Sequence, residues 1–209
     1  MERTQPEAAE PLASTASVRP RLNRSTALIG AGLIATFALV NLAMNRAESA
    51  PGAKEAKIGL RISPVPMKTN KKNKTLVGLG SYIVNAQSAC ADCHTSGLYQ
   101  EGGDPHQGQP MQINTENFLA GGQTFGPFVS TNLTPDENGL PGGLTFHEFD
   151  SLMRTGRHPE GHEHFRPEHS GPILQVMPWP AYKNMTSQDM KAIYAYLSSI
   201  PHADPPAAE

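Results

Sequence analysis

Cys90-Ala91-Asp92-Cys93-His94 is the stretch on which the reading of this chain turns. Two thiols separated by two residues sit on one turn of backbone, with an imidazole directly after the second. That geometry lets both sulfurs add across the vinyl groups of a haem while the histidine reaches the iron from one face. C-x-x-C-H therefore reads as a c-type haem attachment site. The chain has two cysteines, and both are in this motif. A structural zinc site needs four ligands, and no second cysteine pair exists to complete one. A thioredoxin-like redox pair belongs in a βαβ context, whereas the flanks here look helical. A plain disulfide suits the spacing but leaves His94 idle.

Outward from the motif, composition sets limits. A chain of 209 residues allows one or two domains. Hydrophobic residues make up 38%, set against 19 glycines and 19 prolines, so a modest core carries a large share of loop. A bound prosthetic group can supply part of the missing apolar centre. The net charge of −2 hides an asymmetry. Lys54 to Lys74 holds seven basic residues against one acid, Glu55, while Thr75 to Glu209 holds five against fourteen. That acidic C-terminal portion argues against nucleic-acid binding, which wants the opposite sign.

Residues 1–24 are rich in Pro, Ala, Ser and Glu without an apolar period and read as a disordered tail. Ser25 to Asn45 carries no charge and is bracketed by Arg24 and Arg46. At about 1.5 Å per residue such a run can cross a bilayer as a helix. The competing reading is a cleaved signal peptide, with Ala47-Glu48-Ser49-Ala50 as a weak cleavage site. The uncharged run exceeds a signal core of about 7–15 residues, which favours the anchor. Arginines and lysines are balanced on its two sides, so they do not orient it. Residues 46–74 read as a basic linker with Pro51, Pro64 and Pro66 and almost no periodic apolar signal. A basic juxtamembrane stretch can rest on anionic lipid headgroups; a solvated spacer is the plainer reading.

From Thr75 a helical pattern begins, with Leu76, Leu79, Gly80, Ile83, Val84 and Gln87 on one face, running directly into the cysteine motif. A second helix starts at Thr145, with Glu148 placed to complete a capping box and Leu144 to staple against Phe149, and ends at Gly156. A third is capped by Thr186 with Asp189 and runs to Ile200 before Pro201, burying Met190, Ile193, Tyr194, Leu197 and Ile200. The expectation is an all-α domain over residues 75–209, about three main helices wrapped around one haem with long Gly/Pro-rich loops, preceded by one transmembrane helix.

A haem held by His94 leaves its other face open or ligated. Met177, in Leu174-Gln175-Val176-Met177-Pro178-Trp179-Pro180, is the candidate, because the following proline stiffens the backbone that carries its thioether. Met185, Met190 and Met153 are better explained as helix packing, and Met111 sits in a featureless loop. A flexible core filler is the plain alternative for Met177. Four histidines crowd Arg157 to His169; a surface metal site is conceivable there, but Gly and Pro interrupt the run and favour a solvated loop.

Together these residues carry a resemblance. Leu79-Gly80-Ser81-Tyr82-Ile83-Val84 before Cys90-Ala91-Asp92-Cys93-His94-Thr95 resembles the first helix and haem site of a bacterial mono-haem cytochrome c. Ser130-Thr131-Asn132-Leu133-Thr134-Pro135-Asp136, Thr145-Phe146-His147-Glu148-Phe149, Arg154-Thr155-Gly156-Arg157 and Met177-Pro178-Trp179-Pro180-Ala181-Tyr182 are similar to a narrower group. That group is the cytochrome c subunits of membrane-bound periplasmic dehydrogenases acting on alcohols, sugars and sugar acids. The match covers roughly residues 75–200. Such subunits often carry three haem domains, whereas this chain has a single C-x-x-C-H, which favours a single-step carrier. The resemblance implies thioethers from Cys90 and Cys93, iron ligation by His94 and Met177, and one covalent haem c. It also implies contact of Asn132, Trp179 and Tyr182 with the haem or its propionates, and close crossing of Gly80 and Tyr82 with Tyr196 and Leu197. Haem attachment outside the cytoplasm in known c-type cytochromes places the domain on the periplasmic side of the cytoplasmic membrane.

The expected function is a membrane-tethered electron carrier, anchored through residues 25–45. It would link a dehydrogenase, or a respiratory or quinol-oxidising complex, to an acceptor such as a terminal oxidase. No general acid–base pair or activated nucleophile appears, so no catalysis of its own is expected. The rival is a haem enzyme or gas sensor in which Met177 is off the iron and the open face binds a small ligand.

Overall fold

The computed structural model of the protein describes residues 52–159 and 173–206. Six α-helices lie among them: α1 (Ala53–Ile62), α2 (Lys74–Tyr82), α3 (Cys90–His94), α4 (Phe146–Thr155), α5 (Trp179–Tyr182) and α6 (Ser187–Leu197). α2 runs on as a π turn, Ile83–Gln87. The strands among these residues form a two-residue-turn hairpin, β1 (Thr124–Phe125) and β2 (Phe128–Val129), with Thr124 opposite Val129 and Phe125 opposite Phe128. The fold is mostly helical, as expected. The tail at 1–24 and the apolar run at 25–45 lie outside the described residues; within these, no helix is long and apolar enough to cross a membrane.

The two capped helices form as their sequences dictate. Thr145 accepts from the Glu148 backbone N–H while the Glu148 carboxylate accepts from the Thr145 N–H at 2.8 Å. Thr186 and Asp189 repeat the arrangement at the start of α6. Each box satisfies two donors that a helix start otherwise leaves orphaned. Gly156, at φ 67, ends α4 in the left-handed conformation. α6 stops at Leu197 rather than Ile200, because Ser198 and Ser199 turn the chain back by bonding the carbonyls of Tyr194 and Tyr196. Tyr194 clasps α4 to α6: its ring meets Phe146 and Phe149 with centroids 5.5 and 5.6 Å away, and its hydroxyl donates to the Leu144 carbonyl at 2.9 Å.

The stretch read as linker is in part a packed element. α1 lies within residues 46–74 and sits against α2 through backbone rather than large side chains, burying Ala56 and Gly59. A Cβ on Gly59 would run into the Gly78 carbonyl, and one on Gly78 would come within 2.5 Å of the Ala56 carbonyl. The Ser81 hydroxyl donates to the Gly59 carbonyl at 2.7 Å, closing the crossing. A helix that buries glycine and alanine leaves little hydropathy period, and for that reason the sequence reading missed it.

The opposite side of α2 crosses α6 just as closely. A Cβ on Gly80 would collide with the Ala192 carbonyl and come within 2.8 Å of the Tyr196 Cβ. Tyr196 is fully buried, and its hydroxyl is paired with the Ser63 Oγ at 3.0 Å and the Asn85 Nδ2 at 3.2 Å. Of the crossing implied by the resemblance, Gly80 meets Tyr196 as expected, while the Tyr82 backbone lies beside Gly59 of α1.

Gly80→Ala tests this contact, because two effects oppose each other there. Helix propensity alone would favour alanine by about 1 kcal/mol. The clash is with a backbone carbonyl that cannot rotate aside, so overpacking should win and cost about 1–3 kcal/mol. A lower urea midpoint at unchanged slope is the expected result.

Candidate haem site

α2 and its π turn deliver the cysteine motif. A π turn adds a residue to the helical repeat and so redirects the chain beyond it. Ala89 then adopts φ 46, a left-handed conformation that a residue with a Cβ takes at a cost, and α3 starts at Cys90. Behind α3, Thr95 is buried and its hydroxyl accepts from the Leu119 N–H at 3.0 Å, while the His94 carbonyl accepts from the Gly121 N–H at 2.8 Å.

His94 Nδ1 lies 2.8 Å from the Thr131 carbonyl. A carbonyl can only accept, so Nδ1 carries the proton and Nε2 keeps the ring's lone pair. Burial holds the imidazole below its ordinary pKa, opposed only in part by that hydrogen bond. His94 is thus a neutral, oriented ring with one nitrogen available as a ligand. The Cys90 thiol is pushed up to about 12, chiefly by burial, and Cys93 is raised by burial and by the Asp92 carboxylate. Both are free of a disulfide and stay protonated at neutral pH. Neither has the depressed pKa of a redox or catalytic cysteine.

Met177 arrives from the other end of the chain. Arg157 and Ile173 form an antiparallel bridge, and the Leu174 N–H donates to the Gly156 carbonyl at 2.8 Å. Trp179 lies over Gly156 so closely that a Cβ there would enter its ring. Arg154 bonds Asp150 at 3.0 Å and donates to the carbonyls of Lys183 and Met185 at 2.8 and 3.1 Å, holding α5 against α4. The Tyr182 hydroxyl donates to the Ser88 carbonyl at 3.3 Å, tying α5 to the entry of the cysteine turn.

These segments enclose a cavity of about 370 Å³, within the usual range for a bound small molecule or cofactor. Cys90, Cys93, His94 and Met177 all line it. Its wall is apolar: Phe125 and Phe128 from the hairpin, Leu133, Phe149, Leu152 and Met153 around α4, and Ile193 and Leu197 of α6. Met111 is exposed, and Met185 and Met190 are not among the lining residues; Met190 is fully buried in the core. Among the described residues, no group of three His, Cys, Asp or Glu side chains forms a cage for a bare metal ion. A large apolar macrocycle, anchored by two thiols and flanked by one imidazole and one thioether, fits what is present.

Of the residues implied by the resemblance, Tyr182 lines the cavity, but Asn132 and Trp179 do not. Asn132 instead pins the C-terminal tail, donating to the Ala203 carbonyl at 2.8 Å and accepting from Thr134. Trp179 holds α5 to Gly156. Within the histidine cluster, His158 lines the cavity, while His162, His164 and His169 lie outside the described residues. The sequence reading missed Phe125 and Phe128; a Gly-Pro pair between two aromatics, with Gly126 at φ 60, was the available signal.

No protein-family model matches the chain. It is 31% identical over 130 residues to the cytochrome c subunit of a quinone alcohol dehydrogenase from Gluconacetobacter polyoxogenes, covering 61% of this chain and 22% of that protein. It is 28% identical over 142 residues to the fructose dehydrogenase cytochrome subunit of Gluconobacter japonicus, covering 66% and 24%. The gluconate 2-dehydrogenase cytochrome c subunit of Pantoea cypripedii is 30% identical over 128 residues, covering 61% and 24%. The chain thus spans less than a quarter of the length of these relatives. It is a cytochrome c similar to the cytochrome c subunits of alcohol, fructose and gluconate dehydrogenases, and so resembles their electron-transfer components rather than catalytic enzymes.

Gly156→Ala tests how Met177 is held. It forces a Cβ both into a left-handed backbone and into the Trp179 ring, for an expected loss of about 1–3 kcal/mol. Trp179 is the one tryptophan of the chain, so its fluorescence should shift in the folded variant before any change at the cysteine motif.

Proposed function

We propose that the protein is a membrane-tethered mono-haem cytochrome c that passes single electrons from a dehydrogenase or respiratory complex to a downstream acceptor such as a terminal oxidase. The observation that carries this reading is the convergence of Cys90, Cys93, His94 and Met177 on one apolar cavity. When bound there, haem c supplies the one-electron ferric/ferrous couple.

The chain's own residues do the rest. Cys90 and Cys93 anchor the macrocycle through thioethers. His94, its Nδ1 proton held by the Thr131 carbonyl, presents Nε2 as the proximal ligand. Met177 supplies the distal sulfur from a loop braced by Gly156 and α5. Phe125, Phe128, Leu133 and Leu197 exclude water from the wall. With a neutral nitrogen and a neutral sulfur as ligands, the reduced state is favoured relative to a bis-histidine site. The single C-x-x-C-H argues for one haem, and residues 25–45 for a tether with the domain on the periplasmic side.

Two measurements test the reading. Intact-mass spectrometry after acid-acetone extraction should find the haem still on the polypeptide; a bare apoprotein mass would remove the central claim. The oxidised protein should show the weak near-infrared sulfur-to-iron band, and the reduced protein should resist carbon monoxide. Met177→Ala should abolish the band, lower the potential and admit carbon monoxide with the haem still covalently held, whereas Met185→Ala should keep the band. Carbon monoxide binding by the unaltered protein would instead indicate a sensor or enzyme.

A further inference from the structure

α1 has a face that the fold does not use. Its inner side, Ala56 and Gly59, is pressed on α2. At 100° per residue the outer side falls on Lys54, Ile58 and Arg61, with Lys57 and Ile62 flanking them. All five are exposed, and Ile58 and Ile62 each keep 37% of their surface in water. Two isoleucines one turn apart, set among three cations, are out of place on a face meant only for solvent. The helix's one acid, Glu55, is half-buried at the edge of this face.

We infer that the outer face of α1 is an anionic-lipid contact: Ile58 and Ile62 enter the headgroup boundary while Lys54, Lys57 and Arg61 pair with lipid phosphates. The charge pattern matches that occupant, since cations at a negatively charged bilayer surface are attracted while the isoleucine side chains leave water. Continuity of the chain points the same way. Arg46 closes the uncharged run at 25–45, and α1 begins at Ala53 after a short connection. The rest of the protein, from Thr75 onward, has an excess of acids that such a surface would repel. A membrane held at α1 therefore leaves the acidic portion, with the cavity, turned to redox partners. The inference adds a second membrane contact to the tether proposed above and is tested separately from it.

The full-length haem protein is mixed with vesicles of phosphatidylcholine alone, or of phosphatidylcholine with phosphatidylglycerol. Exposed lysines are then labelled with an amine-reactive ester and read by mass spectrometry. Lys54 and Lys57 should label about threefold or more slowly on the anionic vesicles than on the neutral ones, with the difference erased by high salt. Lys183, exposed beyond α5, should label equally in both. In the double variant Lys54→Glu, Arg61→Glu, whose changes lie on the exposed face, Lys57 should label equally on both vesicles. Sedimentation with neutral vesicles reports the tether alone. If the chain stays in that supernatant, the tether reading fails, and the α1 inference then stands or falls on sedimentation with anionic vesicles. Equal labelling of Lys54 and Lys57 on the two vesicles overturns the inference. So does slow labelling on neutral vesicles, or protection that requires an added dehydrogenase, either of which would assign the face to a protein.

Discussion

The contact of Gly80 with the Ala192 carbonyl is the constraint on which the rest of the structure depends. Without side chains between them, α2 and α6 approach to backbone distance, and Tyr196 is buried whole beside the crossing. Its hydroxyl must then find partners, because an unpaired buried hydroxyl costs more than a paired one contributes. Ser63 and Asn85 meet that need, and Ser63 brings the end of α1 with it. α2 is therefore clamped on two sides by glycines. The direction in which it launches the π turn and Cys90 follows from that clamp.

The cavity is closed by two groups of elements that are remote in sequence. The α2–α3 side brings the thiols and His94; the α4–α5 side brings Met177. Each is braced locally before they meet: His94 through Thr131 and Gly121, Met177 through Gly156 and Arg154. Tyr182 to Ser88 is a direct link between them. Rigid halves joined by few bonds suit a site whose ligands must keep their positions in both oxidation states, since a displacement of either ligand between states would add to the barrier for electron transfer.

What was legible in the sequence was what is decided locally. The capping boxes at Thr145 and Thr186, the stop at Gly156 and the cysteine motif each occupy a few consecutive residues, and the structure forms them where the sequence places them. Met177 was legible because proline flanks it and the other methionines had helical explanations; its place on the cavity wall agrees with that choice. α1 was not legible, because its contact with α2 is made by glycine and alanine. Asn132 was misread because a polar side chain in a quoted motif looks like a ligand contact, whereas its bonds go to Ala203 and Thr134 at the chain's end. The hairpin at 124–129 was missed because two-residue strands carry no period.

The distribution of charge joins the site to the surface. Among the described residues lining the cavity, Asp92 is the one carboxylate, and no lysine or arginine appears. His94 is kept neutral by burial, and Met177 brings no charge. In a low-dielectric wall a nearby fixed charge would act on the potential of a bound iron far more than it would in water. Keeping the lining nearly uncharged therefore leaves axial ligation and burial as the main levers on that potential. The cations of the N-terminal portion are gathered before Thr75 and the acids after it. Long-range fields from that surface, screened over about 8 Å at physiological ionic strength, can then orient the molecule without retuning the site.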